Sequence, residues 1–272
     1  VSPNEIVFTS GGSEANTMAL IGSALTFGAG FRLLTSKVEH SSIRDTLPVL
    51  EKLGGKVAFL EVNSDGQISL EELEKVIQTF KPNLVSLMTA NNETGVIFPI
   101  PEVLTLCEKH SCLLHTDAVQ GLGKLDPSFY RNAHLVSVSA HKIYGPKGVG
   151  ALFVRRRNPR VLLAEQINGG GHERGMRSGT LNVPGIVGLG KAAELCRLEM
   201  VKDTERLRAL RKRGVQLLAE KVELPSEFER AKALGFELFQ GYFWGRPEVV
   251  SGRQLPPSAR TYLRLVSELG RA

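Results

Sequence analysis

The chain has 272 residues, 42% of them hydrophobic and 23% charged, with a formal net charge of +6. That is an ordinary soluble composition, long enough for one large domain or two small ones. No run approaches the roughly 18 apolar residues of a membrane span, no signal peptide is visible, and three cysteines without CxxC spacing argue against structural zinc and for a reducing, cytoplasmic setting.

The chain opens on Val1 inside a strand-like phrase, which reads as a truncated or processed N-terminus. Residues 5–8 read as a strand and 13–27 as a helix capped by Ser13 or Ser10. A strand follows over 31–35, then a helix over 41–53 with apolar Ile43, Leu47 and Leu50 on one face. Strand 57–62, a polar turn at 63–66 and helix 70–79 come next, then strand 84–89, helix 101–110 and strands 113–116, 135–138 and 151–154. Near residue 200 the character changes. Residues 200–213 form a charged helix with spaced leucines, and their basic residues suit a solvated helix face better than a nucleic-acid surface. Strand 215–218, helix 226–234, strand 236–239, a Pro256-Pro257 turn and helix 258–269 complete the chain.

The alternation predicts a three-layer α/β/α fold, a mostly parallel sheet covered by helices on both faces, with a small α/β tail. The divisions are a large domain over 1–198, a linking helix over 199–213 and a tail over 214–272. Ligands of such sheets bind beyond the carboxyl ends of the strands. Chemistry-bearing residues fall there: Gly11-Gly12, His40, Asn91-Asn92, Asp117 and Lys142.

Each has a plain structural explanation and a chemical one. Gly11-Gly12 before a helix is either a tight strand–helix turn or an anion cradle at the helix N-terminus. Asp117 either caps a short helix or pairs with a protonated ring nitrogen, with Gln120 one turn on to meet a phenolic oxygen. Lys142 is either a loop lysine or an amine nucleophile, flanked by Ser139 and His141 as phosphate donors. His40 either precedes a helix or stacks on a flat cofactor and moves protons. The glycine-rich segment 169–180, with its arginines, is either a loop or an anion site. Taken together, an anion cradle, a carboxylate and a Schiff-base amine are the parts that hold pyridoxal 5′-phosphate (PLP).

The motifs TSGGSEAN (9–16), VEHSS (38–42), NNETGV (91–96), HTDAVQ (115–120), SAHKIYGPKGVGALFVRR (139–156) and GGGHERGMRSGT (169–180) carry a family resemblance. In that order they resemble the cysteine desulfurase and selenocysteine lyase family, class V aminotransferases of PLP fold type I, over residues 1 to about 210. The resemblance implies that Lys142 carries the cofactor, that Asp117 pairs with its ring nitrogen and that Gln120 and Asn92 lie near its ring oxygen. It makes His40 the stacking and proton-transfer residue. It assigns the phosphate to Gly12, Ser13, Ser139 and His141, and Thr180 to the phosphate site of a neighbouring subunit, which implies a homodimer. It further implies L-cysteine or a related amino acid as substrate, a sulfur-acceptor protein as partner, and a role in iron–sulfur cluster or related biosynthesis. The motifs do not separate cysteine from selenocysteine.

The departures are as informative. The family's acceptor cysteine on a mobile loop, its carboxylate-binding arginine and its N-terminal Ala-Thr-Thr-Pro-type signature have no counterpart here. Cys107, Cys112 and Cys196 sit in helices or beside a strand, so the expectation is PLP binding with weak or absent desulfuration, or a non-catalytic scaffold. The segments 217–223, 227–236 and 238–247 resemble the end of an EAL-type cyclic-di-GMP phosphodiesterase barrel. Glu220, Glu223 and Gln240 match positions near that family's metal and substrate site. About one quarter of a barrel cannot close its sheet, so no metal site and no phosphodiesterase activity are expected, and the joint suggests a fusion.

Overall fold

The computed structural model describes residues 1–212, 218–219, 222, 224–233 and 236–241. The expected helix over 258–269, the turn at 256–257 and most of the expected strand over 215–218 lie outside the described residues, as do Glu220 and Glu223. The chain forms two compact units, Val1–Lys212 and Arg213–Ala272.

In the first unit the elements are β1 (Ile6–Thr9), α1 (Gly12–Phe27), β2 (Arg32–Ser36), α2 (Ser41–Arg44), α3 (Leu47–Lys52), β3 (Lys56–Leu60), α4 (Leu70–Phe80) and β4 (Leu84–Ser86). They continue with α5 (Ile100–Lys109), β5 (Leu113–Asp117), β6 (Leu135–Ser139), β7 (Gly150–Val154), the single turn α6 (His172–Gly175) and α7 (Val183–Lys212). Seven strands form one sheet in the order β1-β7-β6-β5-β4-β2-β3. The β3-β2-β4-β5-β6 run is parallel, and β7 is antiparallel to both β6 and β1.

Period-2 alternation along each strand builds the layers. Leu33, Leu84 and Leu135 point into one core with α1, α2 and α3. Their neighbours Leu34, Val85 and Val136 point into the opposite core with α4 and α5. The central parallel strands β2, β4, β5 and β6 are largely buried on both faces, which is why they read as apolar runs, whereas β3 at the sheet edge is partly exposed. A third cluster joins Leu189 and Ala192 of α7 to Ala140, Ile143, Val149 and Ala151. The three-layer α/β/α architecture expected from the sequence is the one observed.

Local chemistry moves several boundaries. The helix expected over 41–53 is two helices, because Pro48 has no N–H to give the preceding turn, and the chain restarts with proline near the start of α3. The strand expected over 57–62 ends at Leu60. Beyond it Asn63 Oδ1 accepts from the Asp65 and Gln67 amides and closes a turn, leaving Val62 in an isolated bridge to Ile68. The strand expected over 84–89 ends at Ser86, although the Leu87 and Thr89 amides still donate to the His115 and Asp117 carbonyls. The charged helix expected over 200–213 is the C-terminal half of α7, which is continuous from Val183.

In the second unit β8 (Leu218–Ala219) and β9 (Leu238–Phe239) pair in parallel, with α8 (Pro225–Ala233) between them in the chain. No helix among the described residues is long and apolar enough to cross a membrane.

Candidate functional site

The chain leaves β1 through Gly11 and enters α1 at Gly12, so the N-terminus of a 16-residue helix opens at the carboxyl edge of the sheet. Gly12 permits this approach: a Cβ there would lie 2.8 Å from Val119 Cγ2 and 3.5 Å from Ser139 Cβ. The helix dipole and first-turn amides make this point a natural anion cradle. Glu14 is turned away from it. Its carboxylate accepts from the Ser10 amide at 2.7 Å and pairs with Arg177 at 2.8 Å, which holds the segment 169–180 against the first turn. Burial alone would raise the Glu14 carboxyl, but Arg177 and Ser10 bring it below its ordinary value. Arg174 donates to the Ile6 carbonyl. Both arginines of the glycine-rich segment are therefore engaged by the protein.

Asp117 ends β5 and is buried. Its Oδ1 accepts from the Val119 amide at 2.9 Å and its Oδ2 from Asn16 Nδ2 at 2.7 Å. Burial pushes its carboxyl up, against the pull of these two donors and of His40. The same Asn16 nitrogen lies 2.8 Å from Ser42 Oγ, which in turn lies 2.8 Å from His40 Nδ1. His40 caps α2, its Nδ1 accepting from the Ser42 amide at 3.1 Å.

After β6 the chain makes a short 3-10 turn, Ala140–Ile143, that carries His141 and Lys142. Ser139 Oγ and His141 Nδ1 are 2.9 Å apart. The His141 imidazole is held below its ordinary pKa by partial burial and by the charges of Lys142 and Lys147. The turn ends with Tyr144 at φ +62, a left-handed conformation that sends the chain back toward β7. Gln120 Oε1 accepts from Lys124 Nζ at 2.6 Å, and Asn92 Nδ2 donates to Glu93 Oε1 at 2.6 Å.

These groups line one cavity of about 300 Å³. Of the residues expected from sequence, Gly12, Ser13, His40, Asn92, Asp117, Gln120, Ser139, His141 and Lys142 all face it. Thr180 is not in the lining and is exposed. The sequence reading missed Asn16, Ser42, Met88, Ala90 and Val119. Asn16 carried a usable signal, since it lies four residues after Gly12 and so on the same helix face. Among the described residues no group of three or more His, Cys, Asp or Glu side chains is placed to hold a metal ion.

The family model described as Aminotransferase class-V matches residues 1–236, a span that includes β8 and α8 of the second unit. Cysteine desulfurase IscS of Anaeromyxobacter sp. (strain Fw109-5) is 51% identical over 214 residues, covering 78% of this chain and 52% of the relative. The mitosomal cysteine desulfurase of Encephalitozoon cuniculi (strain GB-M1) is 44% identical over 225 residues, covering 81% and 52%. Among solved structures, a NifS-like protein superposes with a TM-score of 0.72 at 40% identity, covering 78% of this chain and 58% of that one. SspA in complex with cysteine superposes with a TM-score of 0.66 at 40% identity, covering 71% and 56%. The chain spans about half the length of the curated relatives it matches.

Proposed function

The chain belongs to the class-V aminotransferase family, and from that premise we propose that it binds PLP and acts on L-cysteine as a cysteine desulfurase. The reaction converts L-cysteine and an acceptor thiol into L-alanine and the acceptor persulfide. The observation that carries this reading is the meeting of Lys142, Asp117, His40 and an α1 N-terminal anion cradle in one cavity.

The donor set fits the cofactor. A buried carboxylate with a raised pKa is relieved by a cation against it, and a protonated ring nitrogen is such a cation. Gly12, Ser13, Ser139 and His141 suit a phosphate, Gln120 and Asn92 suit a ring oxygen, and Lys142 supplies the amine. When bound, PLP supplies an electron-withdrawing ring that stabilises negative charge at the substrate α-carbon. The chain's own groups do the rest. With the group bound, Asp117 would hold a proton on the ring nitrogen, His40 would lie against the ring and assist proton transfer, and Lys142 would tether the group through Nζ and carry a proton there.

Cys107 and Cys112 are buried in or beside α5, and Cys196 lies on α7; none lines the cavity. The acceptor thiol is therefore external to these residues, and turnover without an added thiol or acceptor protein is slow. The site works in a homodimer, in which exposed Thr180, beside exposed Leu181 and Val183, reaches the partner's phosphate site. The three free cysteines suit a reducing, cytoplasmic compartment, and the released sulfur suits iron–sulfur cluster or related biosynthesis. For the second unit, the parallel β8-α8-β9 arrangement is compatible with an EAL-type α/β barrel, whereas the class-V family match extends through β8 and α8 to residue 236.

Adding PLP to the purified protein produces a visible absorption band that Lys142→Ala lacks. L-cysteine with added dithiothreitol then yields alanine and sulfide. A spectrum without the band in either protein would overturn the reading and leave a fold retained as scaffold.

A further inference from the structure

Four side chains from three separate elements form one line across the cavity wall: Asp117 at the end of β5, Asn16 in α1, and Ser42 and His40 at the start of α2. The donor inventory fixes the direction of every bond in it. An amide nitrogen carries two hydrogens. One Asn16 Nδ2 hydrogen meets Asp117 Oδ2 at 2.7 Å and the other meets Ser42 Oγ at 2.8 Å. The reverse amide orientation would set a carbonyl oxygen against a carboxylate, so the nitrogen belongs there. Ser42 Oγ, having accepted from Asn16, keeps its single hydrogen for His40 Nδ1 at 2.8 Å. That nitrogen also accepts from the Ser42 amide at 3.1 Å. A ring nitrogen that receives two donors is the lone-pair nitrogen, so the proton of neutral His40 sits on Nε2. Nε2 has no hydrogen-bond partner among the described residues, and the ring lines the cavity.

We infer that Asn16 and Ser42 are positioning residues that anchor on Asp117 and hold His40 as an Nε2–H donor toward the cavity. In its neutral form the ring then offers a hydrogen bond at the cavity and has no lone pair there to take a proton, which leaves proton uptake to Lys142. The carboxylate polarises the amide and the amide the hydroxyl, so each bond strengthens the next. Asn16 and Asp117 are buried, which shields their end of the line from competing water, while Ser42 is half-buried and His40 is exposed. The assignment of this donor to a reaction rests on the desulfurase reading above; the tautomer itself does not.

The test begins on cofactor-free protein. Long-range proton–nitrogen NMR reports, for each histidine ring nitrogen, whether it is protonated and whether it accepts a hydrogen bond. The parent should show an unprotonated, hydrogen-bonded Nδ1 and a protonated Nε2 at His40. Ser42→Ala and Asn16→Ala should each move Nδ1 toward the resonance of an unbonded ring nitrogen, and Ser42→Thr should restore it. A protonated Nδ1 in the parent, or unmoved ring nitrogens in Ser42→Ala, would overturn the inference. Movement in Ser42→Ala without movement in Asn16→Ala would overturn the anchor on Asp117. With PLP and L-alanine added, exchange of the substrate's α-proton with solvent should slow about tenfold or more in Ser42→Ala while the visible band stays. Loss of that band in the parent would instead sink the desulfurase reading and leave the tautomer result standing.

Discussion

Glu39 is a residue whose chemistry runs against its composition class. It is a carboxyl group buried between the ends of β2 and β4, immediately before His40. Its Oε1 accepts from Ser36 Oγ at 2.9 Å and from the Met88 amide at 3.1 Å, while Oε2 is buried without a partner. Burial pushes its pKa up to about 8, the charge of Asp117 adds to the rise, and the two donors oppose it. At neutral pH the group is a carboxylic acid that ties two strand ends together beneath the cavity. In the unfolded chain it ionises near the ordinary glutamate value of about 4.3. Between about pH 5 and about pH 8 the folded state therefore holds a proton that the unfolded state has lost. Its contribution to stability is intact below that window and is lost as pH rises, by at most about 1.4 kcal/mol per pH unit. Glu39→Gln keeps an acceptor for Ser36 and Met88 without the titration. Urea unfolding at a series of pH values should show a flatter fall in stability for the variant than for the parent. Equal slopes would mean that Glu39 is ionised in the folded protein.

At the scale of elements, the site depends on how closely the strands approach the loop before α1. Gly150 opens β7 and pairs with Thr9 of β1 on one side and Ser139 of β6 on the other. A Cβ at Gly150 would lie 2.7 Å from the Gly11 carbonyl carbon and 2.7 Å from the Val138 oxygen, backbone atoms that cannot rotate away. Gly150→Ala should therefore push the Gly11-Gly12 turn outward, at about 1–3 kcal/mol of stability, and weaken PLP binding, as urea unfolding and a PLP titration would report. Gly148→Ala two residues earlier meets no atom within 4 Å but sits at φ +76. It should strain the backbone locally and leave the affinity for PLP nearly intact, so equal losses of affinity in the two variants would count against the steric account. The same distinction explains what the sequence disclosed. Apolar runs marked the central strands because both faces of the sheet are covered there, and glycine turns and strand ends marked Gly12, Asp117 and Lys142, which the topology brings to the wall of one cavity. The split between α2 and α3 was also written in the chain, in Pro48, but the apolar spacing of Ile43, Leu47 and Leu50 outweighed it. Asn16 could be placed on the helix face of Gly12, but its role could not be read: its partners Asp117 and Ser42 lie 101 and 26 residues away along the chain, so only the folded sheet brings donor to acceptor.

At the scale of the whole molecule, the cavity is assembled from residues 12 to 142, drawn from the loops after β1, β2, β4, β5 and β6. Those strands sit side by side in one sheet, together with β7 between β1 and β6. No local segment carries the site alone. Opening any of these strands separates the α1 cradle from Asp117 or Lys142, so a ligand held there binds the intact sheet and not its partly opened forms. Binding energy should then appear in full as global stability of the first unit. At a ligand concentration 100 times the dissociation constant the gain is about 2.7 kcal/mol. For a domain of roughly 200 residues, each kcal/mol moves the melting temperature by about 2–4 °C, which gives roughly 5–10 °C. The melting temperature should climb with the logarithm of PLP concentration. Lys142→Ala should need more PLP for the same rise, because it keeps the phosphate and ring contacts and loses only the amine. Inorganic phosphate, which fills the α1 cradle alone, should give a smaller shift than PLP at the same concentration, of the same size in parent and variant. If PLP produced its visible band while the melting transition stayed in place, the lysine would be reacting outside the assembled cavity, and the sheet-spanning site would not be where the cofactor is held.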